Sequence, residues 1–239
     1  MNDKCSSCGT PKSLKESTRT KYDDQWKNQD EEAAANRRKS LSMVADPLIS
    51  MVQPLSGKVV VDLGIGTGSL AFRAMEISPP KQMIGVDFSR PGLCVARNVS
   101  RHSRFKDMDF EGIIADLERL PIGSKSVDVV LSQATINLLP DKCSALKEVA
   151  RIAKSGARVA VSDAFKTSHT IDEGSWEECI GGAVTVAEFS TLCMNAGLII
   201  AGQVDLTKQV KTLVSAKKWD WPEFIQHNMD YRGFLLLKS

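Results

Sequence analysis

The stretch VVVDLGIGTGS, residues 59–69, constrains the fold of this chain more than any other feature. Its β-branched run predicts a buried strand at residues 58–63, and its three glycines predict a tight turn into a helix at residues 69–77. Glycine is needed where the backbone turns sharply or where a ligand approaches too closely for a side chain. The stretch therefore predicts a strand, a ligand-binding loop and a helix, the first unit of a parallel sheet.

The rest of the chain repeats this strand–helix pattern. Further strands are predicted at residues 82–87, 112–115, 127–132, 158–163 and 198–204 and in the closing YRGFLLLKS, with helices at 90–101 and 142–153. Thr185 and Glu188 form a capping box that opens another helix. The pattern predicts an α/β fold, a Rossmann-like, mostly parallel seven-stranded sheet with helices on both faces. Residues 41–239 form this domain, and the polar residues 1–40 are expected to be a loosely attached arm.

Charge and composition narrow the class of partner. The 31 basic residues nearly balance the 29 acidic ones, and no basic cluster is interleaved with aromatic residues, so a nucleic acid is not expected as a partner. The sequence shows neither a membrane-spanning stretch nor a secretion signal, which predicts a cytoplasmic protein with reduced cysteines. A small-molecule partner is expected, and the oligomeric state is not determined by these features.

Residues beside the glycines identify the kind of ligand. A dinucleotide loop needs glycine or alanine at position 69, which is Ser69, and a phosphate-binding P-loop needs a Gly-Lys-Ser or Gly-Lys-Thr sequence, which does not follow these glycines. Asp62 precedes the loop glycines Gly64, Gly66 and Gly68. A ligand carboxylate is expected on the amides at the helix start, and a ligand ammonium near Asp62. This combination favours the amino-acid end of S-adenosylmethionine over a pyrophosphate.

Two more acids end the next two strands. Asp87 ends the second strand and can accept hydrogen bonds from both hydroxyls of an unphosphorylated ribose, and Asp116 ends the third and can accept from an adenine amino group. The Leu117 amide is expected on an adenine ring nitrogen, and Phe88 and Ser132 complete the predicted cofactor site. Each acid alone could instead be a helix cap.

Together these motifs resemble the class I S-adenosylmethionine-dependent methyltransferases over about residues 40–239. The matching pieces are VVDLGIGTG, GVDFS, ADLERLPIGSKSVDVVLSQ and EVARIAKSGARVAVSDAF. Within that superfamily, SQATINLLPDK, RVAVSDAF and WEECIGGAVTVAEFSTLCMNAGL resemble segments of arsenite methyltransferases. The resemblance implies trivalent arsenic held by three cysteine thiolates. Only the middle one has a counterpart here, Cys179.

The remaining cysteines have several interpretations. Cys5 and Cys8 have the spacing of half a zinc site, and a zinc or other metal there would need further ligands, so two incidental thiols on the arm are the alternative. Cys94 and Cys193 are expected in the core, whereas Cys143 could be either a core residue or a ligand. Cys179 itself could pack beside a turn.

Methyl transfer from a sulfonium is an in-line displacement, for which a protein mainly supplies orientation and desolvation. The candidate catalytic residues are Cys179, Gln133 and Asn137, and Asp163 and Thr135 are also expected to face the substrate or to bond within loops. Three functions remain open. The first is a small-molecule methyltransferase, and its most specific version acts on arsenite or a related thiol-bound metalloid. The second is a protein- or tRNA-modifying methyltransferase that docks through the arm. The third is a non-catalytic cofactor-binding module.

Overall fold

A seven-stranded sheet forms the centre of the computed structural model, which describes residues 11–102, 104–167, 176, 179–222, 224 and 228–238. The strands are β1 (Val59–Leu63), β2 (Gln82–Asp87), β3 (Phe110–Ile114), β4 (Val127–Gln133), β5 (Ala153–Phe165), β6 (Leu198–Asp205) and β7 (Asp230–Lys238). The helices are α1 (Pro11–Trp26), α2 (Glu31–Ser50), α3 (Ser69–Ile77), α4 (Arg90–His102), α5 (Lys142–Ile152), α6 (Val186–Asn195) and α7 (Thr207–Ser215), with a 3₁₀ turn at Ile136–Leu138.

The strand order is β3-β2-β1-β4-β5-β7-β6. The strands from β3 to β5 are parallel, and β7 pairs antiparallel with both β5 and β6. The order reverses between β1 and β4, where connections leave in opposite directions and open a crevice at the carboxyl ends of the strands. This topology confirms the predicted Rossmann-like α/β class.

Alternate residues of the strands pack on opposite sides of the sheet, as the period of two in a strand requires. Val60 belongs to the cluster beneath α2, α3 and α4, whereas its neighbour Val61 belongs to the cluster beneath α5 and α6. A third apolar cluster lies beyond the carboxyl ends of the strands and includes Leu41 of α2, Val210 of α7, Trp219 and Trp221. This third cluster joins α2 and α7 beside the crevice.

The structure differs from the sequence prediction at three places. Helix α2 runs without interruption across the boundary predicted at residue 40, and Asp30 caps it by accepting from the Ala33 amide. Strand β5 begins at Ala153, immediately after α5, so the helix ends before the predicted stop at Gly156. Residues 207–215, which lacked a clear pattern, form α7. Among the described helices, none combines the length and apolar character needed to cross a membrane.

Candidate cofactor and acceptor site

A cavity of about 320 Å³ opens at the carboxyl ends of β1, β2 and β4. Its floor is the loop after β1, its sides are the residues that follow β2, β3 and β4, and α1 lies across its mouth. The volume lies within the range of small-molecule sites, which are usually concave and enclosed. The crevice between β1 and β4 therefore forms a partly enclosed cavity.

The three loop glycines adopt left-handed backbone conformations, with φ values of 74° at Gly64, 52° at Gly66 and 88° at Gly68. A Cβ on Gly64 would lie 2.2 Å from the Thr135 hydroxyl oxygen, and a Cβ on Gly68 would lie 2.3 Å from the Phe72 ring. Glycine is required at both positions, because other residues would be strained there and would also collide with a neighbour. The loop is thus fixed tightly against β4 and α3.

Two hydroxyl groups of this loop are available to a bound ligand. The side-chain oxygens of Thr67 and Ser69 are buried and have no hydrogen-bond partner among the described residues, although both residues line the cavity. A buried polar group without a partner costs free energy, about 1–3 kcal/mol each. A ligand with polar groups at its end would supply the missing partners.

Asp87 is held by the backbone around it. One carboxylate oxygen accepts from the Gly66 amide at 2.7 Å and the other from the Ser89 amide at 2.8 Å. Burial raises the pKa of Asp87 to about 6, and the hydrogen bonds from Ser89, Gly66 and Phe88 oppose that rise. A carboxylate oxygen can accept more than one hydrogen bond, and Asp87 also lines the cavity. This geometry fits the predicted pair of ribose hydroxyls.

Asp62 lies deeper, on β1, and is almost completely buried. Burial raises the pKa of Asp62 well above its usual range, and a hydrogen bond from the backbone of Ala71 opposes that rise. The nearby Asp87 carboxylate raises the pKa of Asp62 further. A ligand cation beside Asp62 would offset the cost of this buried negative charge.

Asp116 is more exposed and is already paired. Its carboxylate accepts from Lys15 Nζ of α1 at 2.6 Å, and Lys15 also bonds Glu118. The other carboxylate oxygen accepts from the Glu118 amide. Leu117, beside it, is buried and lines the cavity, as does Phe88 after β2. An adenine amino group at Asp116 would therefore share the carboxylate with Lys15.

Helix α1 closes this end of the molecule. The Trp26 indole packs over the glycine loop, within 3.6 Å of where a Cβ on Gly66 would lie, and Asp23 accepts from the Ser89 hydroxyl at 2.7 Å. Arg19 lies 5.8 Å from the centre of the Phe88 ring. This contact was not predictable from the sequence, because α1 is mostly polar and its aromatic side chains touch loops that are distant in sequence.

The Lys15 ion pairs hold α1 to the loop after β3, which leads to a prediction. Replacing Lys15 with methionine is expected to increase opening of α1 about fivefold, because partly exposed ion pairs contribute about 1 kcal/mol together. Hydrogen exchange of the α1 amides measures this opening. Lys12→Met is the matched control, since the partner of Lys12 is Glu16 in α1 itself. Equal protection in the two variants would contradict the role of Lys15.

The opposite end of the cavity is apolar and aromatic, with walls formed by Tyr22, Leu138, Trp219 and Trp221. Cys179 also lines this end in a left-handed conformation, with a φ of 64°, and its thiol donates to the Ala134 carbonyl at 3.8 Å. Burial raises the pKa of the Cys179 thiol well above its usual value, as does the Asp163 carboxylate, and a hydrogen bond with Tyr22 opposes the rise. The thiol is therefore protonated at neutral pH.

Of the other predicted catalytic residues, some line the cavity wall and others lie inside the protein. Gln133 and Thr135 line the cavity. Asn137 does not, because its amide nitrogen donates to Asp163 at 3.0 Å and to the Ala164 carbonyl at 2.7 Å in a buried network. These hydrogen bonds favour the alternative that Asn137 and Asp163 bond within loops over the one in which they face the substrate. Both side chains instead join the turn after β4 to the end of β5.

The remaining predicted ligands lie elsewhere or outside the description. The Ser132 hydroxyl donates to the Leu63 carbonyl inside the sheet rather than into the cavity. Cys94 is exposed, Cys143 half-buried and Cys193 buried, and none of the three lines the cavity. Cys5 and Cys8 lie outside the described residues. Within the described part of the chain, no group of three His, Cys, Asp or Glu side chains could hold a metal ion.

Comparison with known proteins gives a family match and several relatives. Residues 54–218 match the family model described as a methyltransferase domain. The chain is 31% identical over 147 residues to an arsenite methyltransferase of Halobacterium salinarum, covering 59% of this chain and 37% of that protein. It is 32% identical over 136 residues to a malonyl-[acyl-carrier protein] O-methyltransferase of a Marinomonas species, covering 57% of this chain and 46% of that protein.

A solved structure supports the fold. A geranyl diphosphate methyltransferase in complex with SAM superposes with a TM-score of 0.71 over 83% of this chain and 85% of that one, at 15% identity. The chain spans half or less of the length of the two curated relatives described above. These likenesses establish the domain and its fold.

Proposed function

Since the chain belongs to the methyltransferase domain family, we propose that it transfers the methyl group of S-adenosylmethionine to a small molecule held beneath α1. The main support for this proposal is the arrangement of residues around a single cavity. In it the glycine loop, Asp62, Asp87 and Asp116 meet at one end, and an apolar chamber with Cys179 lies at the other.

The residues at the loop end fit each part of the cofactor. The unpartnered Thr67 and Ser69 hydroxyls face a polar ligand end, Asp87 keeps lone pairs for ribose hydroxyls, and Asp116 borders the space for an adenine amino group. Buried Asp62 suits the ligand's ammonium group. S-adenosylmethionine, with one positive sulfonium, supplies an activated methyl group when bound.

The protein's own contribution to such a transfer is orientation and exclusion of water. Trp26 and Tyr22 of α1 cover the chamber, and Trp219 and Trp221 form its far wall. Excluding water matters because a displacement at carbon loses rate when the nucleophile is solvated or poorly aligned. No base is required where the acceptor loses its proton only after transfer.

The covered mouth favours a small acceptor over a macromolecule. Helix α1, which belongs to the predicted arm, packs over the cavity through Trp26 and the Asp23–Ser89 hydrogen bond instead of presenting a free docking surface. A protein or tRNA substrate would have to displace it. The proposal is tested by incubating the protein with S-adenosylmethionine labelled in its methyl group and a panel of arsenite, selenite, thiols and small-molecule extract. Cofactor binding without transfer to any small molecule would contradict it.

A more specific version of the proposal takes arsenite, or a related thiol-bound metalloid, as the methyl acceptor. Its support is the 31% identity with a relative named as an arsenite methyltransferase and the position of Cys179 in the acceptor chamber. Thiolates suit arsenic because both are soft, but Cys179 is the one cysteine among those described that lines the cavity. Binding would also have to displace the thiol proton, since burial raises the pKa of Cys179.

Replacing Cys179 with serine distinguishes the general proposal, methyl transfer to a small molecule, from the specific one, in which that molecule is arsenite. If the thiol holds arsenic, turnover of arsenite is expected to fall at least tenfold, because a hydroxyl is a hard and weak ligand for it. Affinity for the cofactor is expected to stay within threefold in calorimetry. Cys94→Ser, at an exposed site on α4, is the control. Arsenite turnover that is indifferent to Cys179→Ser would contradict the thiolate role and leave the small-molecule activity intact.

A further inference from the structure

Arg37 of α2 is a charged side chain in the cavity wall for which the site described above has no use. Its guanidinium lies 5.0 Å from the centre of the Trp26 ring. Neighbouring Arg38 bonds Glu76 at 2.9 Å, whereas Arg37 has no hydrogen bond and no carboxylate partner among the described residues. Arg37 is therefore a positive charge directed at the cavity without a counter-ion.

This charge lies at the loop end of the cavity. Trp26, on which Arg37 stacks, packs over Gly66 and also approaches Gly92, where a Cβ would lie 3.0 Å from the indole. Arg37 also lies near the Tyr22 side chain, and both residues line the cavity. Its guanidinium thus borders the space where the amino-acid end of the cofactor is expected, between the glycine loop and the acceptor chamber.

The loop itself has few amides left for an anion. The Gly64 and Ile65 amides both donate to the Val86 carbonyl, the Gly66 amide donates to Asp87, and the Gly68 amide donates to the Ile65 carbonyl. The sequence prediction placed the ligand carboxylate on the amides at the start of α3, which follow these four in the chain. Because the four loop amides are engaged, the backbone offers the carboxylate only the first amides of α3, and a positively charged side chain beside them would add to its stabilisation.

Arg37 meets the chemical requirement. Burial lowers the pKa of Arg37, which reflects the cost of holding a cation away from water, although arginine stays charged at any ordinary pH. A guanidinium binds a carboxylate through two parallel hydrogen bonds, stronger than bonds between neutral groups. A ligand carboxylate would therefore remove the cost of the unpaired cation and gain a bidentate contact.

We propose that Arg37 binds the α-carboxylate of the cofactor and is the main determinant that selects an amino-acid end in this site. The inference rests on the proposed function, since it assumes that the cofactor occupies the loop end. In this arrangement the ligand ammonium faces the buried Asp62, its carboxylate faces the half-buried Arg37, and the two charges of the amino acid are matched by two side chains of opposite sign.

The experiment measures binding by calorimetry for wild type, Arg37→Met and Arg37→Lys. The probes are S-adenosylhomocysteine, which has the carboxylate, and 5′-methylthioadenosine, which lacks the whole amino-acid end. Arg37→Met is expected to weaken S-adenosylhomocysteine 30-fold or more and to leave 5′-methylthioadenosine within threefold. Arg37→Lys is expected to recover part of the loss, because it restores the charge without the bidentate geometry. Lys39→Met removes an exposed charge from the same helix and is the control.

The outcomes separate the two proposals. An equal loss for both probes in Arg37→Met would show a general disturbance of the cavity and would overturn the role of Arg37. Unchanged S-adenosylhomocysteine binding, with or without weaker acceptor turnover, would also overturn it. A wild-type protein that binds neither probe would overturn the proposed function together with this inference. A circular dichroism spectrum and melting temperature like those of wild type ensure that the variants are folded.

Discussion

Replacing Asp87 with alanine is expected to abolish measurable S-adenosylmethionine binding. The carboxylate fixes the Gly66 amide at one oxygen and the Ser89 amide at the other, so its removal loosens the glycine loop and deletes the acceptor for the ribose. Hydrogen bonds to a charged group contribute about 1.5–3 kcal/mol each, so losing two gives a decrease of at least 100-fold. Isothermal titration calorimetry measures it. Asp109→Asn, at an exposed position before β3, is the control, and unchanged affinity in Asp87→Ala would contradict the assignment.

The same residue gives the binding a pH dependence. The pKa of Asp87 is about 6, so its carboxyl becomes protonated as pH falls through that value and loses acceptor capacity. Cofactor affinity is therefore expected to decline below pH 6. The stability of the unliganded protein changes with pH in the opposite direction, because a raised carboxyl pKa favours the folded state at low pH. That contribution is present below the unfolded value of 3.8 and is lost as pH rises through about 6.

Removal of α1 is expected to have the second large effect. A chain that begins at Lys27 lacks Lys15, Tyr22 and Trp26, and with them the cover of the cavity. Methyl transfer is expected to fall at least 100-fold, because water would enter the acceptor chamber and the aligned geometry of the two reactants would be lost. The sheet is expected to fold, since α1 packs on the cavity and α4 rather than within the two clusters on the faces of the sheet.

A shorter truncation is the control for this result. A chain that begins at Pro11 keeps α1 but lacks Cys5 and Cys8, and it is expected to retain activity if the CxxC pair takes no part in transfer. Melting temperature and labelled methyl transfer are measured for both chains. Full activity of the chain from Lys27 would show that α1 does not cover the working site.

Elements with a regular apolar pattern were predictable from the sequence. Strand β2 and helix α3 were predicted with their observed bounds, and the Thr185–Glu188 capping box opens α6 as expected. In each case the signal is local: a buried run of β-branched residues, a glycine followed by an amphipathic segment, or a pair of side chains three residues apart. Local signals were enough for the fold class and for the positions of Asp62, Asp87 and Asp116.

Contacts between distant segments were not predictable in this way. Lys15 meets Asp116 across 101 residues, and the polar sequence of α1 contains nothing that specifies this partner. Asn137 follows a strand that ends at the site, yet its side chain turns into the protein and bonds Asp163. The position of a residue after a strand indicates how near its backbone lies to the site, but it does not indicate which way its side chain points. Arg37 was not among the predicted site residues for a similar reason, since only the folded arrangement shows that it has no hydrogen-bond partner among the described residues.

The antiparallel position of β7 affects how this sheet is assembled during synthesis. Strand β7 follows all other strands in sequence but lies between β5 and β6, so β6 joins the sheet only through it. While the ribosome still holds the segment from Asp230 onward, β6 has no partner and β5 exposes an unpaired edge. A nascent chain therefore carries an unpaired strand edge until β7 has been synthesised, and such an edge can pair with other chains.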